Sequence, residues 1–345
     1  MLWRERDVLA HFKENRTLLP PSVRAELVET FLTAASSLSL RMASIKPPSG
    51  TRSSTLRGIR IVSLALNLPG PAALMRLKAL GASCTKLESP AGDPMLAYAK
   101  SAYAQMHEGV KIITADLKTE RGLAKLHKLL AKTDVLLTSF RPSALARLGL
   151  SWKQLRIAHP HLNVVSIVGD TAAPEVPGHD LTYTAEHGLI TGLELPPTLF
   201  ADMGGSLLAV EAVLAAVLQQ KSTGRSSQQT VGLSQAAQYL ALPRQWGLTT
   251  PDGLIGGAHA FYQVMPCKDG RVSIAALEPH FAIRLAQLVG CSLSQSEDVL
   301  ESSLKKKTLS FIKQRTCKEL EVAAEKYDLP LHVLPKKAAD IHKYP

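Results

Sequence analysis

Short apolar runs alternate with longer amphipathic stretches from residue 56 to about residue 235. The apolar runs predict buried strands at residues 60–65, 83–87, 134–138 and 162–167. The stretches between them predict helices, two of which end near residues 80 and 131. Alternating strands and helices are typical of parallel βαβ units. The pattern therefore predicts an α/β fold with a Rossmann-like parallel sheet, in which ligands bind beyond the carboxyl ends of the strands.

A long apolar run at residues 204–220 predicts a further helix, and Asp202 stands directly before it. Free backbone N–H groups and the positive end of the helix dipole meet at such a place. The ordinary role of an aspartate there is to cap the helix. Gly204 and Gly205 favour a second interpretation, since bare backbone beside Asp202 lets a ligand approach and offers N–H groups to an oxyanion.

The pattern changes again near residue 255. Apolar runs at residues 261–265 and 272–276 flank the turn Lys268-Asp269-Gly270, which is a good hairpin signal. We therefore expect a second, smaller α+β domain after the large one.

Four segments follow from these boundaries. Residues 1–56 form an N-terminal extension of unknown role that ends in a linker rich in Pro, Ser and Gly. Residues 57–254 form the large Rossmann-like domain, and residues 255–330 form the small domain. Residues 331–345 are a separate C-terminal segment.

Composition places the chain among ordinary globular proteins, with 46% hydrophobic and 20% charged residues. The sequence shows no apolar stretch near the roughly 20 residues that span a bilayer. Its N-terminus does not resemble a secretory signal. The four cysteines have no metal-site spacing and are interpreted as free thiols in a reducing compartment. We therefore expect a cytoplasmic protein with no bound metal and no membrane association.

A net charge of +11 and a pI of about 9.5 favour an anionic partner. Nucleic acid is one option, but aromatic residues are only 5% and no nucleic-acid-binding motif is present. A phosphate-bearing small molecule fits as well, and so does a merely solvated basic surface. Because the usual dinucleotide and P-loop fingerprints are missing, the fold need not be that of a dehydrogenase or an NTPase.

Three side chains form a candidate proton-transfer set. They are Asp202, His179 in the triplet Gly178-His179-Asp180, and Glu278 before Pro279. Taken singly, each has a structural explanation, as a helix cap, a structural histidine or a surface acid. The position of His179 in a turn-rich loop favours function, since functional residues concentrate in loops.

Five stretches match a known family in order and spacing. They are LRGIRIVSLALNLPGP, LKALGASCTKLESPAGDP, ITADLKTERGLAKLHKLLAKTDVLLTSFRPSALARLGL, PGHDLTY and GLIGGAHAFYQVMPCKDGRVSIAALEP. With them, residues 56–345 resemble the family III CoA-transferases, the CaiB/BaiF family. The resemblance is strongest to the α-methylacyl-CoA racemase branch, because that branch has a His and a Glu at the positions of His179 and Glu278.

The resemblance implies roles for the site residues. In transferases the Asp at the position of Asp202 carries the acyl group and then CoA. In racemases, Asp202 and His179 would remove and return the α-proton of a 2-methylacyl-CoA, a 1,1-proton transfer. The enolate would lie against backbone N–H groups near Asp202, where Gly204 and Gly205 leave the backbone uncovered. Glu278 and Asp180 would orient His179.

The resemblance also implies acyl-CoA as substrate, with coenzyme A as part of it and no permanently bound cofactor. Arg141 matches a family position near the CoA, and Lys86 and Lys111 are further phosphate candidates. The alternative for each of these three residues is a surface cation, and for the two lysines it is the favoured one. The expected partner is a second copy in a homodimer, not nucleic acid. Because the chain stops at Pro345, before the family's return of a helix to the large domain, the two subunits need not interlock.

Two loops depart from the family pattern. The glycine-rich loop before Gly178 is replaced and shortened at residues 168–174, and the segment from His179 to Asp202 is short. Three functions therefore stay open: a racemase or epimerase, a CoA-transferase with an aspartyl intermediate, and a family member that binds acyl-CoA without turnover.

Overall fold

The structure, a computed structural model, describes residues 54–336. The extension and linker expected at the N-terminus, apart from their last residues, lie outside the described residues, as does the chain from residue 337 onward. From Leu56 onward the described residues belong to one compact unit.

In the part of the chain that the structure describes, six parallel strands form the large sheet, in the spatial order β3-β2-β1-β4-β5-β6. Their bounds are β1 Arg60–Ser63, β2 Ser83–Glu88, β3 Lys111–Thr114, β4 Val135–Thr138, β5 Asn163–Val168 and β6 Gln228–Gly232. The strand order reverses between β1 and β4, which is where open α/β sheets form their ligand crevice. The predicted α/β fold with a Rossmann-like parallel sheet is confirmed.

Within residues 54–336, ten helices accompany this sheet. They are α1 Pro69–Ala79, α2 Met95–Tyr98, α3 Lys100–Met106, α4 Glu120–Leu130, α5 Pro142–Arg147, α6 Trp152–Ala158, α7 Asp180–Glu186, α8 Phe200–Thr223, α9 Leu233–Leu240 and α10 Leu242–Gln245. Alternate residues of the central strands face opposite sides of the sheet, so each face has its own core. Leu137 packs with the core that includes α1 and α8, and Leu136 packs with the core that includes α4.

The second sheet is antiparallel, in the order β7-β8-β9. Its strands are β7 Tyr262–Cys267, β8 Gly270–Ala275 and β9 Leu331–Pro335, and its helices are α11 Pro279–Val289, α12 Ser302–Lys313 and α13 Cys317–Tyr327. Short π and 3₁₀ segments lie at Leu254–Ala258 and Ser296–Leu300. The predicted hairpin over Lys268 and Asp269 is present.

Strand β9 corrects the expected boundary at residue 330. It begins one residue later and pairs with β8, for example Val272 with Val333. Residues 331–335 therefore belong to the small sheet and not to a separate C-terminal segment.

Helix α8 begins earlier than its apolar run suggests. It starts at Phe200, so Asp202 lies inside the first turn, and the preceding residue Leu199 makes no side-chain cap. By length and composition alone, α8 is also the one described helix that could cross a bilayer. The sequence-based expectation that no apolar stretch is long enough to span a bilayer is therefore wrong. Almost half of its most apolar window is buried in the fold, against α1, α9 and the sheet.

Candidate active site

A cavity of about 210 Å³ lies at the carboxyl end of the large sheet. Its lining includes residues from the loops that follow three neighbouring strands: Asn67 after β1, Arg141 after β4 and Gly169 after β5. Asp202 and His179 line the same cavity. The sheet therefore brings two of the three predicted catalytic side chains together at its switch point.

Asp202 is mostly removed from water. Burial, then the nearby carboxylate of Asp180, raises its pKa to about 6, and the positive charge of His179 acts against this rise. A carboxyl group that titrates near neutral pH can serve as either base or acid under physiological conditions. Since perturbed pKa values concentrate at functional sites, this is the strongest electrostatic feature of the cavity.

Asp180 has a different role from the one predicted for it. It is 5% exposed, and its Oδ1 accepts a hydrogen bond from the Asp202 backbone N–H at 3.0 Å. The carboxylate thereby takes up one of the N–H groups that the first turn of α8 leaves free. Asp180 therefore holds Asp202 in place, and within the described residues its carboxylate makes no hydrogen bond to the His179 ring.

His179 presents its imidazole from the residue before helix α7. Its backbone N–H donates to the Thr182 hydroxyl oxygen at 3.1 Å, and that hydroxyl donates back to the His179 carbonyl at 2.8 Å. His179 and Thr182 form a capping box at the start of α7. This motif fixes His179 at the helix start, where it lines the cavity.

The predicted role of Gly204 and Gly205 is wrong. Both lie inside helix α8, where N–H groups bond to carbonyls of the preceding turn. A Cβ at Gly205 would overlap the Leu233 side chain, and one at Gly204 would lie 3.0 Å from Leu240 Cδ1. These glycines allow α8 to pack closely on α9 and do not expose backbone to a ligand.

Comparison with known proteins gives the family. The model of CoA-transferase family III matches residues 56–341. The chain belongs to CoA-transferase family III.

Relatives within this family differ in activity. The chain is 32% identical over 205 residues to cinnamoyl-CoA:phenyllactate CoA-transferase of Clostridium sporogenes, covering 53% of this chain and 50% of that protein. It is 27% identical over 286 residues to alpha-methylacyl-CoA racemase of Mus musculus, covering 76% of this chain and 72% of that protein. The chain spans about half the length of several curated transferases that it matches.

Solved structures support the fold. A hypothetical protein from Mycobacterium tuberculosis superposes with a TM-score of 0.70 at 24% identity, covering 85% of this chain and 88% of the other. A CAIB/BAIF family protein from Brucella suis gives 0.68 at 25% identity, covering 84% and 86%.

Two cavity residues of this family III member were missed by the sequence analysis. Tyr183 is buried, and its hydroxyl lies against Gly169 and Gly178, where any Cβ would overlap it. No described residue hydrogen-bonds that hydroxyl, so it is available to a ligand. The signal for Tyr183 is its spacing four residues after His179, which places both on one side of a helix start.

Asn67 is the other missed residue. Its φ of 61° lies in the left-handed region, where asparagine is tolerated better than most residues. Its N–H donates to both carboxylate oxygens of Asp93 at 3.2 Å, and the Tyr98 hydroxyl donates to its Oδ1 at 3.4 Å. The turn after β1 is therefore fixed from two sides.

The replaced loop forms one wall of the cavity. Glu175 accepts hydrogen bonds from the Ser143 N–H at 2.7 Å and from the Ser143 hydroxyl at 2.8 Å. The Thr171 N–H donates to Gln235 Oε1 at 3.1 Å. These two contacts hold the loop against helices α5 and α9, so its altered sequence still makes a defined wall.

The remaining predicted site residues are spread apart. Arg141 is exposed at the cavity and forms no ion pair with any described residue, so its guanidinium is free to bind an anion. Glu278 is exposed before α11 and is not part of the cavity lining. Lys111 is exposed at the start of the outermost strand β3 and is likewise outside the lining.

Lys86 does not face a ligand at all. Its side chain is 0% exposed, and its Nζ contacts the Asp93 carboxylate, Glu88 Oε1 at 3.1 Å and His107 Nε2 at 3.1 Å. Burial is the main cause that lowers the pKa of His107, so a neutral ring adjoins the ammonium. The prediction of a phosphate contact does not fit this geometry, and neither does a surface cation.

Proposed function

We propose that this chain is an acyl-CoA racemase or epimerase that acts on 2-methylacyl-CoA thioesters by removing and returning the α-proton. The observation that carries the proposal is the pairing of His179 and Asp202 on one cavity, close enough for their charges to interact. The resemblance of the chain to a racemase over 76% of its length supports it further.

The chemistry needs two proton carriers. A thioester carbonyl acidifies its α-proton, one group removes that proton, and the other delivers a proton to the opposite face. A racemase must work in both directions, so each group has to act as base for one enantiomer and as acid for the other. A pKa of about 6 suits Asp202 for both roles, because it approaches the range in which an imidazole titrates.

The size of the cavity limits what it can hold. About 210 Å³ is below the roughly 300–1,000 Å³ of typical small-molecule sites, so the cavity fits the reacting end of an acyl-CoA rather than all of it. Arg141 lies at this cavity and could bind a phosphate of CoA in bidentate fashion. Neither a permanently bound cofactor nor a metal is needed for this chemistry. Within residues 54–336 Glu278 forms no hydrogen bond with His179, so this proposal rests on His179 and Asp202.

A CoA-transferase is the second candidate. The curated relatives include several proteins named as transferases, and this reaction needs Asp202 alone as the nucleophile. Above pH 6 most Asp202 is ionised and could attack a thioester carbonyl. A family member that binds acyl-CoA without turnover is the third candidate, favoured by the replaced and shortened loop at residues 168–174.

Deuterium exchange separates the three candidates. A 2-methylacyl-CoA is incubated with the protein in deuterated water without any acceptor acid, and α-deuteration is followed by mass spectrometry. A racemase exchanges the proton, and His179→Ala is expected to slow the exchange about 10²–10⁴-fold. A transferase shows no exchange, requires a second carboxylic acid, forms an adduct that hydroxylamine traps, and tolerates His179→Ala. Absence of exchange across 2-methylacyl-CoAs of several chain lengths would rule out the racemase, and CoA binding with neither reaction would support the third candidate.

The pH profile tests Asp202 directly. Since the base form is needed for proton removal, the exchange rate is expected to rise as pH increases through about 6 and then to level off. Asp180→Asn removes one cause of the raised pKa but keeps an oxygen for the Asp202 N–H. That variant should shift the inflection to lower pH. A rate that stays constant from about pH 5 to pH 7 would exclude Asp202 from the reacting pair.

A further inference from the structure

Two of the four cysteines touch each other in the small sheet region. Cys267 ends strand β7 and Cys317 begins helix α13, and their sulfur atoms are 3.5 Å apart although 50 residues separate them. Both side chains are buried, with 8% and 5% exposure. The sulfur of Cys84, by contrast, contacts the backbone carbonyls of Leu74 and Ala82.

Interactions that do not involve sulfur already hold the two ends together. Asp269 in the hairpin turn accepts a hydrogen bond from the Cys317 N–H at 2.6 Å, and the Lys268 N–H donates to the Arg315 carbonyl at 2.9 Å. A Cβ at Gly270 would lie 2.8 Å from the Cys317 sulfur. The turn is thus packed directly against the start of α13. Backbone hydrogen bonds, and not a bond between the sulfurs, keep the two thiols close together.

We propose that Cys267 and Cys317 are a site of reversible oxidation and form an intrachain disulfide with a low-molecular-weight disulfide such as oxidised glutathione as the oxidant. A disulfide needs an S–S distance of about 2.05 Å. From 3.5 Å the sulfurs have to approach by roughly 1.5 Å, which rotation of the two side chains can share. The cross-link would tie the β7–β8 turn to α13 and enclose α11 and α12 in one covalent loop.

The reaction balances in two exchange steps. The Cys267 thiolate attacks one sulfur of oxidised glutathione, which breaks that S–S bond and releases one reduced glutathione. The Cys317 sulfur then attacks the mixed disulfide, forms the Cys267–Cys317 bond and releases the second reduced glutathione. The two cysteines lose two electrons and two protons, and the two glutathione thiols gain them. Burial is the main cause that raises the pKa of Cys317 to about 12, so the exchange is slow and is followed over hours.

The same region offers a competing occupant. Ligand atoms of Cys267, Asp269 and Cys317 lie within 4.8 Å of one another, so a thiophilic cation such as zinc could use them. The described residues supply only these three groups to it, and Asp269 Oδ1 already accepts the Cys317 N–H. A structural zinc site has four protein ligands. Because one of the four ligands is missing, the geometry favours a disulfide over a zinc site. The test below includes zinc binding as one of its outcomes.

The test oxidises the full chain under native conditions with oxidised glutathione and maps unreduced peptides by mass spectrometry. We expect a peptide pair joined through Cys267 and Cys317, loss of two of the four free thiols, and a rise in Tm that dithiothreitol reverses. Cys291→Ser is the matched control, because it removes a cysteine outside the pair and should leave the cross-link intact. Cys317→Ser and, independently, Cys267→Ser should abolish both the linked peptides and the rise in Tm.

Three outcomes would overturn the proposal. The first is that all four thiols remain after prolonged native oxidation, or that the pair links only in the denatured chain. The second is that the new disulfide runs through Cys84 or Cys291. The third is that the reduced protein retains one equivalent of zinc, lost in both Cys→Ser variants, because the thiols then serve a metal.

Discussion

Asp202→Asn is expected to slow α-proton exchange strongly and, at the same time, to stabilise the folded protein. The loss of activity should be about 10²–10⁴-fold, because asparagine can neither remove nor return a proton. The gain in stability follows from the raised pKa of about 6 in the folded state. A carboxyl group that resists ionisation when folded makes folding less favourable at any pH where the unfolded chain ionises it.

The pH dependence of this gain has a defined sign. In the parent chain, the ionised Asp202 carboxylate lowers the free energy of unfolding. This destabilisation is fully present above the folded pKa of about 6 and disappears as pH falls toward the unfolded pKa near 4. A pKa difference of about two corresponds to an upper estimate of about 3 kcal/mol in the free energy of unfolding at pH 7. Urea denaturation at pH 7 and at about pH 4 measures both limits.

The matched control is Asp252→Asn, because Asp252 is an exposed acid outside the cavity lining. It should change neither exchange nor stability. If Asp202→Asn proved less stable than the parent chain at pH 7, the Asp202 carboxylate would be stabilising the fold and the assigned cause of its raised pKa would be incorrect. Substantial exchange in the variant would exclude Asp202 as a proton carrier.

Lys86→Met is expected to destabilise the protein by about 3–5 kcal/mol. The ammonium of Lys86 lies between the carboxylates of Asp93 and Glu88, whose residues are 3% and 5% exposed. Methionine fills similar space but leaves two buried acids without a counter-charge. The measurement is the free energy of unfolding by urea near pH 7.

An exposed ion pair in the same sheet provides the control. Arg60 Nε forms an ion pair with Asp134 Oδ2 at 3.1 Å, and about half of the Arg60 side chain is exposed to water. Arg60→Met should therefore lower the free energy of unfolding by only about 0–1 kcal/mol. Adding Glu88→Gln and Asp93→Asn to Lys86→Met should recover part of the loss, since the uncompensated charges are then gone. A loss for Lys86→Met as small as that for Arg60→Met would mean that water reaches the cluster.

Much of the fold was predictable because local patterns determine it. Strands β4 and β5 are fully buried, so their apolar runs could be read directly from the sequence. Strand β3 was missed because it is short and mostly exposed at the sheet edge, which leaves little apolar signal. Helix α7 was missed because the turn residues before it resemble a loop.

The candidate site was only partly predictable. Asp202 and His179 could be selected from motifs, and the sheet topology then explains why they share a cavity. The hydrogen bond between the Asp180 carboxylate and the Asp202 backbone joins residues that are 22 positions apart, so no local sequence pattern predicts it. The burial of Lys86 likewise depends on Asp93 and His107 arriving from other segments. Contacts of this kind form only in the tertiary structure. A family motif can therefore identify a functional residue, but it does not show which residue that side chain contacts.

At position 67 the backbone decides which side chains the cavity can have. A φ of 61° is strained for bulky and β-branched residues, whereas glycine, asparagine and aspartate accept it. This part of the wall can therefore offer an amide, a carboxylate or bare backbone, but not an apolar surface. Selection for a larger or more hydrophobic acyl group would have to act on the replaced loop at residues 168–174, at positions other than Gly169, where a Cβ would overlap Tyr183. The two walls thus differ in their freedom to evolve, one restricted by geometry and the other open to change.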